Sequence, residues 1–239
     1  MLIQAGLDAD RTEIINPVVQ WPRRCLQSTK QRLPVEILFV GRMTKSKGVL
    51  DLLEAIRRIG SPHHPAFRVS LIGKPNERSY FDHVQDQAAA LEPLVEYVGQ
   101  CGDDELERRY HAAHILAIPS YHEGFCRPVA EGLRAGCIPV GYASYHLPIV
   151  ANGLGRLVAR GNVGALAAAL QSMIESVIEA GGNPTGKFLP LDRGPTGVAE
   201  FDRLAGEHVA QFSFDRFAGT VINAIRNLLP QTSNRITAE

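Results

Sequence analysis

The sequence predicts an α/β protein whose core is a doubly wound parallel sheet of about six strands with helices on both faces. Two observations lead to this fold class. Short apolar runs, several of them closed by a glycine or a proline, alternate with longer stretches in which apolar residues recur at helical spacing. At 239 residues the chain is also long enough to bury such a sheet without stabilisation by disulfide bonds. Strands that alternate with helices pair in parallel through right-handed crossovers, so both faces should be covered.

The predicted strands are short, apolar and rich in β-branched or aromatic residues. In chain order they are Val35–Val40, Phe67–Ile72, Val95–Val98, His114–Ile118, Ile138–Tyr142 and Leu157–Ala159. The first three end at Gly41, Gly73 and Gly99, and the fourth ends at Pro119. Because glycine and proline interrupt extended structure, these strands should pass into loops at their carboxyl ends.

The helices are predicted from apolar periodicity and from residues that favour helix ends. Apolar side chains recur on one face between Gly48 and Gly60, and the acidic residues 103–105 favour a helix start. Pro128 suits the first position of a helix that ends at Gly136. The remaining predicted helices are Tyr80–Leu91, Val163–Ala180, Val198–Val209 and Phe214–Leu229.

Two segments show no such periodicity. Residues 1–34 contain three X-Pro pairs, and a residue that precedes proline favours extended backbone. We therefore predict a linker that wraps the surface. Residues 181–197 are rich in glycine and proline, which predicts a surface loop.

Composition argues against several classes of protein. Acidic and basic residues balance to a net charge of +0 and are interspersed, so the sequence has no cluster of basic residues of the kind that binds nucleic acid. No apolar run approaches the ~20 residues that span a bilayer, and the first residues do not resemble a signal peptide. The cysteines show no pairing framework; they are Cys25, Cys101, Cys126 and Cys137. These features predict a cytoplasmic protein.

The stretch from Pro119 to Gly136 is the most informative part of the chain. It is predicted to run from the end of a strand through a loop into a helix, and the free N–H groups at a helix start attract anions. Gly124 would let the loop approach a ligand closely. Glu123 in the loop and Glu131 one turn into the helix bracket this position. The stretch therefore predicts a site for a phosphorylated, hydroxyl-rich ligand.

Several motifs resemble those of one enzyme family. The central motif, Glu123-Gly-Phe-Cys-Arg-Pro-Val-Ala-Glu131, has two glutamates separated by seven residues. The supporting motifs are Phe39-Val-Gly-Arg-Met-Thr-Lys-Ser-Lys-Gly48, Val98-Gly-Gln100, the stretch from Leu106 to Ala117-Ile-Pro-Ser120, Gly136-Cys-Ile-Pro-Val140, His146-Leu-Pro148, Gly153-Leu-Gly-Arg-Leu-Val158 and Gln211-Phe-Ser-Phe-Asp215. Together they resemble the carboxyl-terminal half of retaining glycosyltransferases of the group 1 (family 4) type. Those enzymes have the GT-B fold, in which two Rossmann-like domains face each other across a cleft.

The resemblance implies a role for each motif residue. Arg42 and Lys47 would clamp the diphosphate of a nucleotide-sugar, Glu131 would accept the ribose hydroxyls, and Glu123 would contact the transferred sugar. The implied donor-binding residues are Gly41, Arg42, Lys47, Gly124, Phe125, Cys126, Arg127 and Glu131. The implied catalytic residues are Glu123, Arg42 and Lys47. Arg127 stands where the family has an apolar residue, and it could contact donor phosphate or an acidic partner.

The resemblance also implies a reaction and its participants. A hexose would pass from a nucleotide-sugar to an acceptor with retention of configuration, in polysaccharide or glycolipid synthesis, and the scheme needs no metal or other cofactor. Residues 1–34 would be a linker and remnant of the interdomain region, 35–210 the nucleotide-sugar-binding domain and 211–239 a crossover helix. The acceptor-binding amino-terminal domain is expected outside this sequence, as a further segment or a separate chain. Through that part the enzyme could reside at the inner membrane face.

Other interpretations remain open. The chain could be a non-catalytic nucleotide-sugar-binding subunit or an inactive remnant, and a sugar-phosphate epimerase of related fold would need an acid/base pair across the cleft. Considered alone, Glu131 could be explained by a favourable interaction of its carboxylate with the helix dipole. Glu123, Arg42 and Lys47 could each be an ordinary solvated surface charge. A zinc site at His122, Cys126 and Cys137 is disfavoured, because their spacing matches no common zinc motif.

Overall fold

A six-stranded parallel sheet forms the centre of the computed structural model, which describes residues 15–31, 33–60, 66–180 and 189–228. Its strands are β1 (Val35–Val40), β2 (Phe67–Ile72), β3 (Val95–Gly99), β4 (Ile115–Ile118), β5 (Ile138–Tyr142) and β6 (Arg156–Val158). Their order across the sheet is β3-β2-β1-β4-β5-β6. The chain winds outward from β1 in one direction and from β4 in the other. The predicted doubly wound parallel sheet is therefore confirmed.

Helices cover both faces of this sheet. They are α1 (Val49–Ile59), α2 (Arg78–Ala89), α3 (Asp103–Ala112), α4 (Arg127–Arg134), α5 (Leu147–Ala151), α6 (Val163–Ala180), α7 (Val198–Ala210) and α8 (Phe214–Leu228). Right-handed crossovers place α1 and α2 on one face and α3, α4 and α5 on the other. α6 packs on α1, and α7 packs on α4. The short helix α5 was not predicted, because five residues give too little periodicity to detect.

The core lies on both sides of the central strands. Every residue of β4 and β5 is buried, and four of the six residues of β1 are buried. This explains why these strands appear in the sequence as continuous apolar runs rather than as alternating patterns. Each fully buried large aliphatic side chain contributes about 1.5–3 kcal/mol through removal of apolar surface from water.

The helix α6 is apolar enough to raise the question of a membrane span. Its 18 residues have a mean hydropathy of 1.3, and 39% of them are buried. The buried side chains recur at helical spacing; they are Leu166, Ala167, Ala169, Leu170, Met173, Ile174 and Val177. They lie in a helix that packs on α1 and β5, which is the pattern of a core helix.

The prediction of a surface loop over residues 181–197 is wrong for its second half. Leu189–Leu191 (β7) and Gly194–Thr196 (β8) pair as an antiparallel hairpin. Both leucines of β7 are buried, so alternate burial of apolar side chains stabilises extended structure despite the prolines. Residues 181–188 of the predicted loop lie outside the described residues.

The described part of the amino-terminal segment contains neither a strand nor an α-helix, only a 3₁₀ turn at Gln27–Thr29, and it packs against the helices of one face. The ring of Trp21 meets the ring of Tyr110 edge-on at 5.7 Å. The backbone N–H of Gln27 donates to the Asp202 carboxylate at 2.7 Å. This segment therefore packs against α3, α4 and α7. Its role as an interdomain linker stays a prediction.

His114, the residue immediately before β4, joins this segment to the sheet. Its Nδ1 accepts the N–H of Glu36 at 3.0 Å, and its Nε2 faces the carbonyl oxygen of Gln31. The neutral ring with hydrogen on Nε2 satisfies both contacts. The side chain is only 3% exposed, and burial lowers the pKa of His114 from 6.5 to about 4.

We expect His114 to make stability depend on pH between 6.5 and about 4. In this window the unfolded chain takes up a proton that the folded chain does not, so the free energy of unfolding falls as pH falls. The full loss is ~3 kcal/mol, and the stability is complete above pH 6.5. Urea unfolding at a series of pH values measures it. His114→Asn, which does not titrate here, serves as the control, and parallel curves for the two proteins would show the assignment to be wrong.

Candidate functional site

The carboxyl ends of β1 and β4 bring two loops together where the chain reverses its direction across the sheet. β1 pairs with β4 in parallel, so the loops that follow both strands emerge at the same edge. The N–H of Tyr121 donates to the carbonyl oxygen of Ser46 at 2.8 Å. Gly48, with a φ of 65°, lies so close to Pro119 that a Cβ atom would be 2.0 Å from its carbonyl oxygen. The two predicted halves of the site thus touch through backbone contacts.

Lys47 and Glu123 form an ion pair across this junction. Lys47 Nζ lies 2.7 Å from Glu123 Oε1, and the two side chains are 20% and 10% exposed. Lys47 ends a short 3₁₀ turn before α1, whereas Glu123 lies in the loop between β4 and α4. Two of the three predicted catalytic side chains are therefore neighbours in the folded chain, although their positions in the sequence differ by 76.

The third predicted catalytic residue, Arg42, follows β1 on the same side of the sheet. Its side chain is exposed, and it forms no hydrogen bond or ion pair with the part of the chain that the structure describes. The neighbouring Gly41 donates its N–H to Ile72, which extends the sheet pairing by one residue. Arg42 thus presents a free guanidinium beside the junction of the two loops.

Glu131 lies one turn into α4 and is only 8% exposed. The hydroxyl of Tyr110 donates to its Oε2 at 3.0 Å, and Arg127 Nε lies 3.5 Å from its Oε1. Burial raises the pKa of Glu131, and the Tyr110 hydrogen bond and the Arg127 charge oppose that rise. A role confined to the helix dipole does not account for these contacts. Tyr110 lies in α3, within the stretch from Leu106 to Ser120 that resembles the family, but no residue pattern indicated that its hydroxyl would meet Glu131.

The start of α4 has an unusual backbone. Cys126 precedes the helix with a φ of 59° and a ψ of 68°, a left-handed conformation in which a side chain is strained. Its thiol is buried, and burial followed by the charge of Glu123 raises the pKa of Cys126 well above its usual range. The thiol is thus protonated at neutral pH and is not a nucleophile.

The rest of the motif loop divides into an open part and a packed part. A Cβ atom added at Gly124 would meet nothing within 4 Å, so the space beside this residue is free. The ring of Phe125 instead packs edge-on against Phe212 at 5.1 Å. Arg127, the first residue of α4, is 62% exposed and approaches Glu131. Free space at Gly124 and an exposed helix start leave room for a ligand.

Within the described ranges, no three His, Cys, Asp or Glu side chains lie close enough together to hold a metal ion. The ring of His122 packs instead against the ring of Tyr145 at 4.4 Å. Cys137 is buried against the backbone carbonyls of Tyr110 and Ala113. His122 and Cys137, two of the three residues considered as a zinc site, therefore contact different groups rather than each other.

A second polar cluster adjoins the pair of loops and was not predicted. The hydroxyls of Tyr121 and Tyr142 both donate to Asp51 Oδ2, at 2.6 Å and 2.7 Å. Asp51 is the third residue of α1, one turn after Lys47, and Tyr142 ends β5. The sequence offered only an acidic residue in a first helical turn, for which the helix dipole is a sufficient explanation.

Two hollows flank the loop that carries Glu123. One of about 690 Å³ is lined by Ser46, Gly48, Asp51, Tyr80 and Tyr121. The other, of about 510 Å³, is lined by Phe125, His146, Ile149, His208 and Phe212. A further hollow of about 740 Å³ lies against β2 and β3 and includes none of the predicted site residues.

The arrangement can hold a ligand that is anionic at one end and rich in hydroxyls at the other. Arg42, Lys47 and the N–H groups at the start of α4 supply positive charge and hydrogen-bond donors. Glu123 and Glu131 supply carboxylate oxygens that accept hydroxyl hydrogens. Crevices at the carboxyl ends of strands, where a doubly wound sheet reverses, are the usual ligand sites of such folds.

Comparison with known proteins identifies the family of this chain. Residues 27–180, more than half of the chain, match the family described as glycosyl transferases group 1. The chain is 29% identical over 189 residues to a glycogen synthase of Mycobacterium tuberculosis, and the match covers 73% of this chain and 39% of that protein.

Two solved structures are similar in fold. Sucrose-phosphate synthase from Thermosynechococcus elongatus has a TM-score of 0.64 and 23% identity, over 83% of this chain and 46% of that chain. Anabaena HepE, in complex with UDP and glucose, has a TM-score of 0.69 and 17% identity, over 94% of this chain and 59% of that chain. The chain thus spans less than two thirds of each of these proteins. With its Rossmann-like sheet and its matching motifs, the chain belongs to the group 1 family of glycosyl transferases.

Proposed function

We propose that this chain binds a nucleotide-sugar at the junction of the loops after β1 and β4. The observation that carries this proposal is the Lys47–Glu123 pair, with Nζ and Oε1 2.7 Å apart, beside a helix start and the buried Glu131. This pair supports the proposal, because a cation suited to a diphosphate lies beside carboxylates suited to hydroxyl groups. The complex of HepE with UDP and glucose supports a ligand of this class in the same fold.

In this proposal the donor replaces the partner of Lys47. The diphosphate carries more negative charge than the Glu123 carboxylate, so Lys47 pairs with the diphosphate instead. The planar guanidinium of Arg42 donates further hydrogen bonds to the same group. Glu123, released from Lys47, accepts hydrogens from the sugar hydroxyls near the reacting carbon. Glu131 is already held by Tyr110, so its other oxygen can take a ribose hydroxyl once Arg127 swings away.

The proposed reaction moves a hexose to an acceptor with retention of configuration. As the bond to the sugar breaks, negative charge grows on the leaving diphosphate, and the charges of Arg42 and Lys47 stabilise it. The leaving phosphate takes up the proton of the acceptor hydroxyl on the same face of the sugar. These groups supply the electrostatic stabilisation, so the proposal includes no metal. A role in polysaccharide or glycolipid synthesis is supported by the likeness to a protein named glycogen synthase.

A second candidate function is that of a nucleotide-sugar-binding subunit that works with a partner. One observation favours it: Phe214, Ile222 and Ile225 of α8 are 54%, 47% and 51% exposed, and no described side chain of α8 is buried. Exposed apolar residues on one amphipathic helix are typical of an interaction surface. The partner would be an acceptor-binding domain, in the same protein or in another chain.

A thermal-shift titration of the purified chain against UDP-, GDP- and ADP-sugars tests donor binding. A ligand that binds only the folded state raises its stability by about 2.7 kcal/mol at a hundred times its dissociation constant. We expect a shift with one nucleotide and its loss in Glu131→Ala, because that variant removes the hydroxyl acceptor. Glu175→Ala, at an exposed position of α6 outside both motifs, serves as the control.

The two candidates differ in what the chain does with a bound donor. If it transfers sugar to an acceptor unaided, the partner is unnecessary. Binding without transfer favours the subunit, and a folded chain that no nucleotide stabilises would contradict both.

A further inference from the structure

We propose that Asp51 is a positioning residue, which together with Tyr121 and Tyr142 holds the Glu123 loop against the Lys47 turn while a donor is bound. This inference rests on the proposed function, because it assigns a task to a cluster beside the donor site. Asp51 does not itself contact the donor in this proposal. It acts through the loop to which Tyr121 belongs.

The geometry links three elements through one carboxylate oxygen. Tyr121 lies two residues before Glu123, and its hydroxyl donates to Asp51 Oδ2 at 2.6 Å. Tyr142, buried at the end of β5, donates to the same oxygen at 2.7 Å. The two tyrosine rings meet edge-on with centroids 5.6 Å apart. Asp51 thus ties the first turn of α1 both to the loop after β4 and to the neighbouring strand.

The hydrogen bonds to Asp51 matter because the Lys47–Glu123 ion pair is lost when a donor binds in this proposal. In the structure, the Lys47–Glu123 pair is one of the contacts that hold the two loops together. The proposed function transfers Lys47 to the diphosphate, so this contact is broken as the sugar arrives. The Asp51 bonds involve no group that the donor uses, so they persist. Glu123 then stays beside the sugar rather than moving away from α1.

The two tyrosines are suited to this task at neutral pH. Hydrogen bonding to Asp51 is the largest cause that raises the pKa of Tyr121 to about 12. Burial, followed by the same kind of bond, raises the pKa of Tyr142 above its ordinary value. Both hydroxyls therefore remain protonated donors, and bonds from a hydroxyl to a carboxylate are among the stronger ones in proteins.

The test compares two ligands by isothermal titration calorimetry of the purified chain. They are UDP and UDP-glucose, or the corresponding ADP or GDP pair if the thermal-shift panel selects that base. We expect Tyr121→Phe and Asp51→Ala to weaken binding of the nucleotide-sugar ~10-fold and to change binding of the nucleoside diphosphate less than ~2-fold. The difference arises because Glu123 faces the sugar, whereas Arg42 and Lys47 face the diphosphate.

Two further variants distinguish positioning from general stability. Asp51→Asn keeps an oxygen that accepts the hydroxyls, so it should retain most of the nucleotide-sugar affinity. Tyr80→Phe removes a hydroxyl that accepts the N–H of Leu50 at 3.4 Å and forms no hydrogen bond with Asp51, and it should leave the affinity ratio unchanged. A purely structural role would lower the melting temperature of Tyr121→Phe without changing that ratio.

Each outcome has a defined meaning. An unchanged ratio in Tyr121→Phe, with both ligands still bound, overturns this inference and leaves the proposed function intact. Equal losses for both ligands also overturn it, since the whole site would then be disturbed. A wild-type chain that binds neither ligand overturns the proposed function and this inference together.

Discussion

Lys47→Ala is expected to weaken nucleotide-sugar binding ~50-fold, the largest effect on ligand binding that the site predicts. The variant removes a charged hydrogen-bond donor from the diphosphate, which is worth ~1.5–3 kcal/mol. It also leaves Glu123, whose side chain is 10% exposed, without its partner and close to a second negative group. Isothermal titration calorimetry with the donor chosen by the thermal-shift panel measures the change.

Lys45→Ala is the matched control for this experiment. Lys45 lies in the same 3₁₀ turn, its side chain is exposed, and it carries the same charge without an ion pair among the described residues. We expect its donor affinity to stay within ~2-fold of wild type, because an exposed charge is strongly screened. If the two variants lost affinity equally, the general positive field of the turn would be responsible, and the specific role of Lys47 would be wrong.

Gly48→Ala is expected to lower the free energy of unfolding by ~3–5 kcal/mol, the largest effect on stability. A side chain at a φ of 65° is strained by ~1 kcal/mol or more. The added Cβ would also lie 2.0 Å from the carbonyl oxygen of Pro119, so the two loops must separate. Urea unfolding measures the loss. Because the same contact brings Lys47 to Glu123, donor binding should fall as well.

Gly99→Ala separates strain from steric contact. Gly99 has a φ of 83°, but a Cβ atom there would meet nothing within 4 Å. This variant should therefore cost only the strain, ~1 kcal/mol. Equal losses at the two positions would mean that the close approach of Gly48 to Pro119 contributes nothing.

Much of the fold could be predicted from the sequence, because local patterns report it directly. The strands β1, β2 and β5 and the helix α6 have the predicted bounds, since each has a clear apolar pattern and marked ends. The hairpin β7–β8 was missed because its prolines and glycines suggested a loop, while the burial of its two leucines depends on distant residues. The helix α5 was missed because of its length.

The sequence by itself determined the fold class, the family and the identity of the two motifs around Lys47 and Glu123. Patterns of apolar residues and motif order lie along the chain, so they need no knowledge of which elements become neighbours. Only the tertiary structure decided that Lys47 pairs with Glu123, that Tyr110 holds Glu131 and that Asp51 receives two tyrosine hydroxyls. Each of these contacts joins different elements of the fold. The physical reason is the strand order, because placing β4 beside β1 brings together loops that are far apart in the sequence.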